Sequence, residues 1–432
     1  MLLYLGFLFS IFLDYVRPAS YLPIIGALRL NSLVPLTVLL ATVFYKSVVS
    51  DQELFRHRNS RWLLFFMALL VISVLTADVT EFSFNMFTAV LGFVFWYYMI
   101  IKLVTTEPRM RGLFATLVLS HVVLLALNPQ LILNPAVRSY IYGNTFLGDG
   151  NDYSMSVVIV IPMCLYLLMR SKSLWTRLLW MTALAGLMLA VIGTQSRGAS
   201  IALACVFLFL WWKGRQKIIG VALIAAVVAA VISYAPDAYF DRINTLSNYE
   251  EEGSAMGRIT AWKTAVRMAA AHPLQGVGSG HFAVKLGTEF RPPEFGNSMM
   301  PWLTAHSMYF LLLGELGIPG VTFLLAMLIG NFFINNRLMR EARDKQSELA
   351  KLFMMLNASL VAFAIGGAFL SVAYYPHLYV LAGIWTAAGF ILRHQLAEQQ
   401  EGDDTATQES PEQRAERLVW GHAPSKELDV TR

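Results

Sequence analysis

Apolar runs separated by short polar breaks fill most of the chain, and one polar stretch, from about Tyr234 to Glu315, stands out by its length. The runs predict about twelve membrane-crossing helices, since ~20 apolar residues span a ~30 Å hydrocarbon core. They lie at 2–16, 31–50, 62–78, 84–104, 112–128, 152–169, 174–193, 199–213, 217–235, 306–334, 350–372 and 377–393. Because the long polar stretch is flanked by such runs, it must fold on one membrane face. The pattern therefore divides the chain into membrane helices at 1–235, a loop domain at 236–305, further membrane helices at 306–393 and a tail at 394–432. The fold class is an all-α integral membrane protein with one large, partly helical external loop.

Composition agrees with the pattern. The chain is 56% hydrophobic and 14% charged, whereas a soluble domain carries about a quarter charged residues. Its net charge of +5 sits in short clusters between apolar runs, which membrane topology explains; no nucleic-acid partner is implied. Basic residues near span ends stay on the cytoplasmic side. The clusters Lys46/Arg56/Arg58/Arg61, Lys102/Arg109/Arg111, Arg170/Lys172/Arg177, Lys213/Arg215/Lys217 and Arg337/Arg340/Arg343/Lys345, with Arg393, all follow even-numbered spans. Both termini are thus expected in the cytoplasm and the long loop on the outer side. The opening MLLYLGFLFSIFLDYV has no basic region before it and reads as a first span. Cys164 and Cys205 fall inside apolar runs, where cysteine behaves as a small hydrophobe.

Within the loop, Ser254 is placed to cap a helix from about Ala255 to Ala271, with Ile259, Trp262 and Val266 on one apolar face that suits the membrane surface. His272-Pro273 ends it, and GVGSG makes a turn rather than a dinucleotide site, since no strand precedes it. The tail after His394 is polar and mixed in charge, which predicts disorder or weak helix.

Few residues qualify for chemistry. Arg197 lies in a very short outward turn, where an arginine is costly unless paired or hydrated; it either serves function or reaches lipid phosphates. Arg258, in the first turn of the loop helix, would face an anion beside free helical N–H groups, or pair with the acidic run Glu250, Glu251 and Glu252. His306 opens the tenth span, where the positive helix end keeps the imidazole neutral and able to take a proton; a structural role is the competing account. Glu315 follows about 13 Å along the axis, inside the span, and needs a hydrogen-bond partner there. Gly314, Gly317 and Gly320 recur at threes, as close helix packing requires. Asp149 and Asp152 in FLGDGNDY either contact sugar hydroxyls or belong to a turn with a helix cap at Asn151 or Asp152. No Cys/His cluster has metal spacing and no G-x-S-x-G elbow occurs.

The ordered series SRGA, then GR-x-x-x-W with a downstream HP-L-x-G-x-G, then AHS-x-Y-x-x-x-L-x-E-x-G-x-x-G resembles the O-antigen ligase and polymerase superfamily of bacterial envelope enzymes. FLGDGNDYSM, NYEEEGSAMGRITAW and AHSMYFLLLGELG are similar to the exosortase-associated O-glycosylation ligases. Ser307 departs from the asparagine that many members carry after the histidine. The resemblance implies a GT-C-like membrane glycosyltransferase of the bacterial inner membrane, acting at the periplasmic face without a metal or other cofactor. Its donor would be an undecaprenyl-diphosphate-linked glycan, and its acceptor the lipid A core, or else a protein side chain or glycan repeat; membrane lipids surround it. The matching positions are Arg197 and Arg258 as donor-diphosphate ligands and His306 as catalytic base. A transporter of polyprenyl-diphosphate-linked glycans is the alternative of a different class. The absence of a fixed-period repeat and of matched interrupted spans weighs against it.

Overall fold

The structure, a computed structural model, describes residues 1–133, 141, 143–144, 146–214, 217, 253–293, 296 and 303–408. Apart from Lys217, the predicted span at 217–235 lies outside the described residues, as does the acidic run at 250–252. Every regular element among the described residues is helical.

The helices used below are α1 (Leu2–Val16), α2 (Leu30–Val43), α3 (Arg58–Thr76), α4 (Thr80–Leu103), α5 (Glu107–Leu127), α6 (Gly150–Arg170), α7 (Leu174–Gly193), α8 (Arg197–Lys213), α9 (Gly253–Ala271), α10 (Phe282–Gly287), α11 (Met308–Lys345), α12 (Ser347–Gly366) and α13 (Pro376–Gln408). Seven of the described helices are long and apolar enough to cross a membrane: α3 to α7, α11 and α12. α1 and α2 are shorter apolar helices. Leu36 and Leu40 of α2, Trp175 of α7 and Phe333 of α11 point their large apolar side chains outward. Such a belt is a liability in water and is at home in lipid.

α12 packs against α11, α6, α8 and α13, while α9 seats on α11. Since lipid tails are as apolar as the helices, polar contacts and close packing hold the bundle together. Asn59 of α3 exchanges amide hydrogen bonds with Asn331 of α11 at 2.9 and 3.1 Å, and also donates to Thr386 of α13 at 3.0 Å. At one end of the bundle, Glu107 of α5 accepts from Tyr166 and Arg170 of α6, and Arg170 reaches Glu348 of α12 at 2.8 Å. The opposite end, about 30 Å away by the length of α6, carries the first turns of α6, α8 and α11.

α11 is not the continuous span that the sequence suggests. Pro319 has no N–H, so the carbonyl four residues earlier, that of Glu315, loses its helical donor. Gly317 takes φ 63 and ψ −157, a backbone region open essentially to glycine. The helix breaks there, and the GVGSG segment fills the gap. Gly278 N–H donates to the Glu315 carbonyl at 2.9 Å, Val277 N–H to that of Gly314 at 3.0 Å, and Ile318 N–H turns away to Pro273 O at 2.8 Å. Of the three spaced glycines, Gly314 does serve close packing, against Phe282 and Met268, but Gly317 serves a kink.

Two local expectations need correction. α9 begins at Gly253, so Ser254 lies inside the helix instead of capping it. Its buried face is Ala261, Thr264, Ala265 and Met268, packed on α11, while Val266 stays half exposed. α13 runs on through Gln408, so the described beginning of the tail takes the helical one of its two expected forms.

Replacing Gly317 with Ala should destabilise the protein by at least about 2 kcal/mol, because the backbone region excludes a Cβ and the added methyl meets the Pro273 carbonyl. Thermal unfolding in detergent measures it.

Candidate active site

Four residues at the end of α12, 366–369, touch neighbours of three sequence-predicted positions at one end of the bundle. A side chain at Gly366 would collide with Met155, one turn beyond Asp152 in α6. One at Gly367 would collide with Met308, two residues beyond His306. Gly198, next to Arg197 in α8, lies against Phe369, with room for a Cβ only 3.0 Å from the Phe369 Cβ. The first turns of α6, α8 and α11 therefore meet on one short segment.

Arg197 is the first residue of α8, after the buried Thr194, Gln195 and Ser196, and Ser196 caps the helix by accepting from Ala199 N–H. His306 stands just outside α11, whose cap position is Ser307, and takes a left-handed φ of 46. It is therefore held on the lip of the helix rather than in its first turn, in a conformation uncommon for a residue other than glycine. Arg258 falls in the second turn of α9, so the free N–H groups of the first turn are not beside it as the sequence suggested. α9 packs against the segment that leads to His306. Gly257 lies against Leu303, and Trp262, one turn further on the same face, donates its indole N–H to Ala305 O at 3.0 Å. The Trp262 ring also stacks on Phe310, with centroids 5.1 Å apart. All three candidates are half-buried.

The acidic candidates are engaged structurally. Glu315 is buried, and its carboxyl group accepts from Phe282 N–H at 2.9 Å, from Tyr374 O–H at 2.8 Å and from the backbone of Gly280. Burial, then the Glu315 carboxylate, keeps the Tyr374 phenol well above its ordinary pKa, so it remains a donor. Asp149, not Asn151 or Asp152, caps α6, accepting from Asn151 N–H at 2.7 Å. Asp152 hydrogen-bonds Tyr375, whose phenol is likewise raised by burial and then by Asp152.

Tyr374 and Tyr375 escaped the sequence reading, although the adjacent pair follows an apolar span. So did a buried chain of hydrogen bonds, from His121 to Ser156 at 2.7 Å and from Ser156 to His377 at 2.8 Å, joining α5, α6 and α13. His281 was missed too: its Nε2 accepts from Val79 N–H at 3.1 Å, which leaves Nδ1 as the donor to Ser279 O at 3.0 Å. Beside these groups lies a cavity of 640 Å³ between α1, α2, α4, α10 and α11, lined in part by Thr304, Glu315, Tyr374 and Tyr375.

Residues 184–325 match a family model described as O-antigen ligase. Over this third of its length the chain is similar to the O-antigen ligase superfamily. The matched region holds Arg197, Arg258, His306 and Glu315, and with them α9 and the break in α11. The seven long apolar helices and the family match together indicate a multi-pass membrane protein. No curated protein matches the chain.

The three hydrogen bonds on Glu315 predict unequal substitutions. Glu315→Gln keeps an acceptor for the two backbone N–H groups and can turn its amide toward Tyr374, so it should cost about 1 kcal/mol. Glu315→Ala strands three buried donors and should cost about 3–5 kcal/mol. Unfolding midpoints of the two purified variants give the comparison.

Proposed function

We propose that the protein is an O-antigen ligase-type glycosyltransferase that moves a glycan from undecaprenyl diphosphate to the lipid A core at the periplasmic face of the inner membrane. The observation that supports this is that Gly198 and Met308, neighbours of Arg197 and His306, pack on the same 366–369 segment, while α9, which carries Arg258, bonds Ala305 through Trp262. The basic helix ends Lys102, Arg170 and Arg340 lie at the far end of the bundle, which supports a cytoplasmic placement for that end and a periplasmic one for the site.

In this reaction the acceptor hydroxyl oxygen bonds to the anomeric carbon as the bond from that carbon to the diphosphate oxygen breaks. Attack from the face opposite the leaving group inverts the configuration. The departing diphosphate gathers negative charge, and Arg197 and Arg258 stabilise it with planar, permanently charged donors. His306 takes the hydroxyl proton, and its fixed backbone holds the imidazole at the helix lip. Among the described residues, no group of three His, Cys, Asp or Glu side chains gathers as metal ligands; the positive charge in this scheme is that of the guanidinium groups.

His306→Asn tolerates the left-handed backbone and should fold normally. It should retain donor affinity while transfer falls by about 10²–10⁴-fold. Transfer at the normal rate by this variant would remove His306 from the chemistry. Arg197→Ala and Arg258→Ala should each weaken undecaprenyl diphosphate binding by about tenfold or more. Unchanged affinity in both would remove the proposed diphosphate site. Characterising the glycan products of a null strain identifies the acceptor: lost long-chain lipopolysaccharide with accumulated lipid-linked polymer marks a ligase, and single-repeat products mark a polymerase.

A further inference from the structure

At the end of the bundle away from the site, a cavity of 730 Å³ opens where α8, α11 and α12 come together. The cations on its described walls are Lys213 at the end of α8, Arg340 and Arg343 in the last turns of α11, and Lys351 in the second turn of α12. Lys351 is already matched, because Glu348 accepts from it at 2.9 Å while also reaching Arg170 at 2.8 Å. Lys213, Arg340 and Arg343 have no ion pair among the described residues. Glu341, next to Arg340, binds Arg337 at 2.7 Å, and the Lys213 ammonium stands 4.7 Å over the Trp212 ring. Cations that share one hollow repel one another, so an anion bound between them is favoured. Membrane topology alone accounts for basic residues at span ends, but not for a hollow between helices that gathers them.

The rest of the described lining is largely apolar, with Met169, Met339, Ala350 and Met354. Toward the middle of the bundle, α8 and α11 meet through the rings of Phe209 and Phe332, 6.2 Å apart. Phe333 lies seven residues before Arg340, on the same face of α11, and is 65% exposed; Trp212, beside Lys213, is 64% exposed. Large apolar side chains directed outward at this depth face hydrocarbon. A molecule that satisfies both walls therefore has an anionic head and an apolar tail, whereas a free phosphate ion uses the charged wall only.

We infer that this cavity binds the phosphate headgroup of an anionic phospholipid, with Lys213, Arg340 and Arg343 around the phosphate and the acyl chains along Trp212 and Phe333. On the orientation proposed above, the cytoplasmic leaflet supplies the lipid. The opposite ends of α8, α11 and α12 are Arg197, Met308 and Gly366. A headgroup seated here thus ties together, at one end, three helices that meet beside the candidate site at the other.

The test titrates the purified full chain in detergent with phosphatidylglycerol and counts bound lipid by native mass spectrometry. No glycan donor or acceptor is present, so the result does not depend on whether transfer occurs. The wild type should bind one phosphatidylglycerol in preference to phosphatidylcholine. Arg340→Gln/Arg343→Gln should lower that affinity about fivefold for each cation removed. Arg177→Gln/Arg337→Gln removes two exposed arginines of the same end that do not line the cavity, and should leave the affinity unchanged. If the cavity pair does not fold, Lys213→Gln decides alone, with a fall of about fivefold. Equal binding of phosphatidylcholine, equal losses in the two double variants, or unchanged affinity in the cavity variants would overturn the inference. So would displacement of the lipid by inorganic phosphate at a comparable concentration, which would make the occupant a soluble anion.

Discussion

A buried carboxyl group with three donors fixed on it is the constraint from which the site's geometry follows. Glu315 fastens the backbone at Gly280 and Phe282 and the phenol of Tyr374, and so ties α10, the segment before α13 and α11 to one point. Such a group is expensive to place in an apolar bundle unless every acceptor position is met. Its own carbonyl is released by Pro319 and taken by Gly278. Side chain and main chain of one residue thus hold the loop after α9 against the broken helix. α9 in turn sets Gly257 and Trp262 against the segment that carries His306.

Much of the helical layout was legible because a membrane span is written in composition, which needs no knowledge of partners. Arg197, Arg258 and His306 stand out in the sequence because charge and imidazole are conspicuous against apolar surroundings. What was hidden depends on contacts across long stretches of chain. Tyr374 looks like one more aromatic residue after a span until it meets Glu315, 59 positions earlier. His121 and His377 look like isolated buried histidines until Ser156 lies between them.

Two errors of local reading are physically instructive. The apolar face of α9 was drawn through its larger side chains, Ile259, Trp262 and Val266, yet the buried face is largely alanine, because α9 approaches α11 closely enough to want small residues there. The glycines at 314, 317 and 320 were read as one packing stripe. Spacing alone does not distinguish a smooth contact from a break, whereas Pro319, two residues after Gly317, carried that information.

The segment at 366–369 has a mechanical consequence. It abuts Met155, Met308 and Gly198, so the openings of three helices share one mount at the end of α12. A mount common to several parts carries them together when it shifts: a tilt of α12 would displace the groups on α6, α8 and α11 in concert, preserving their mutual spacing while altering their distance from anything bound opposite.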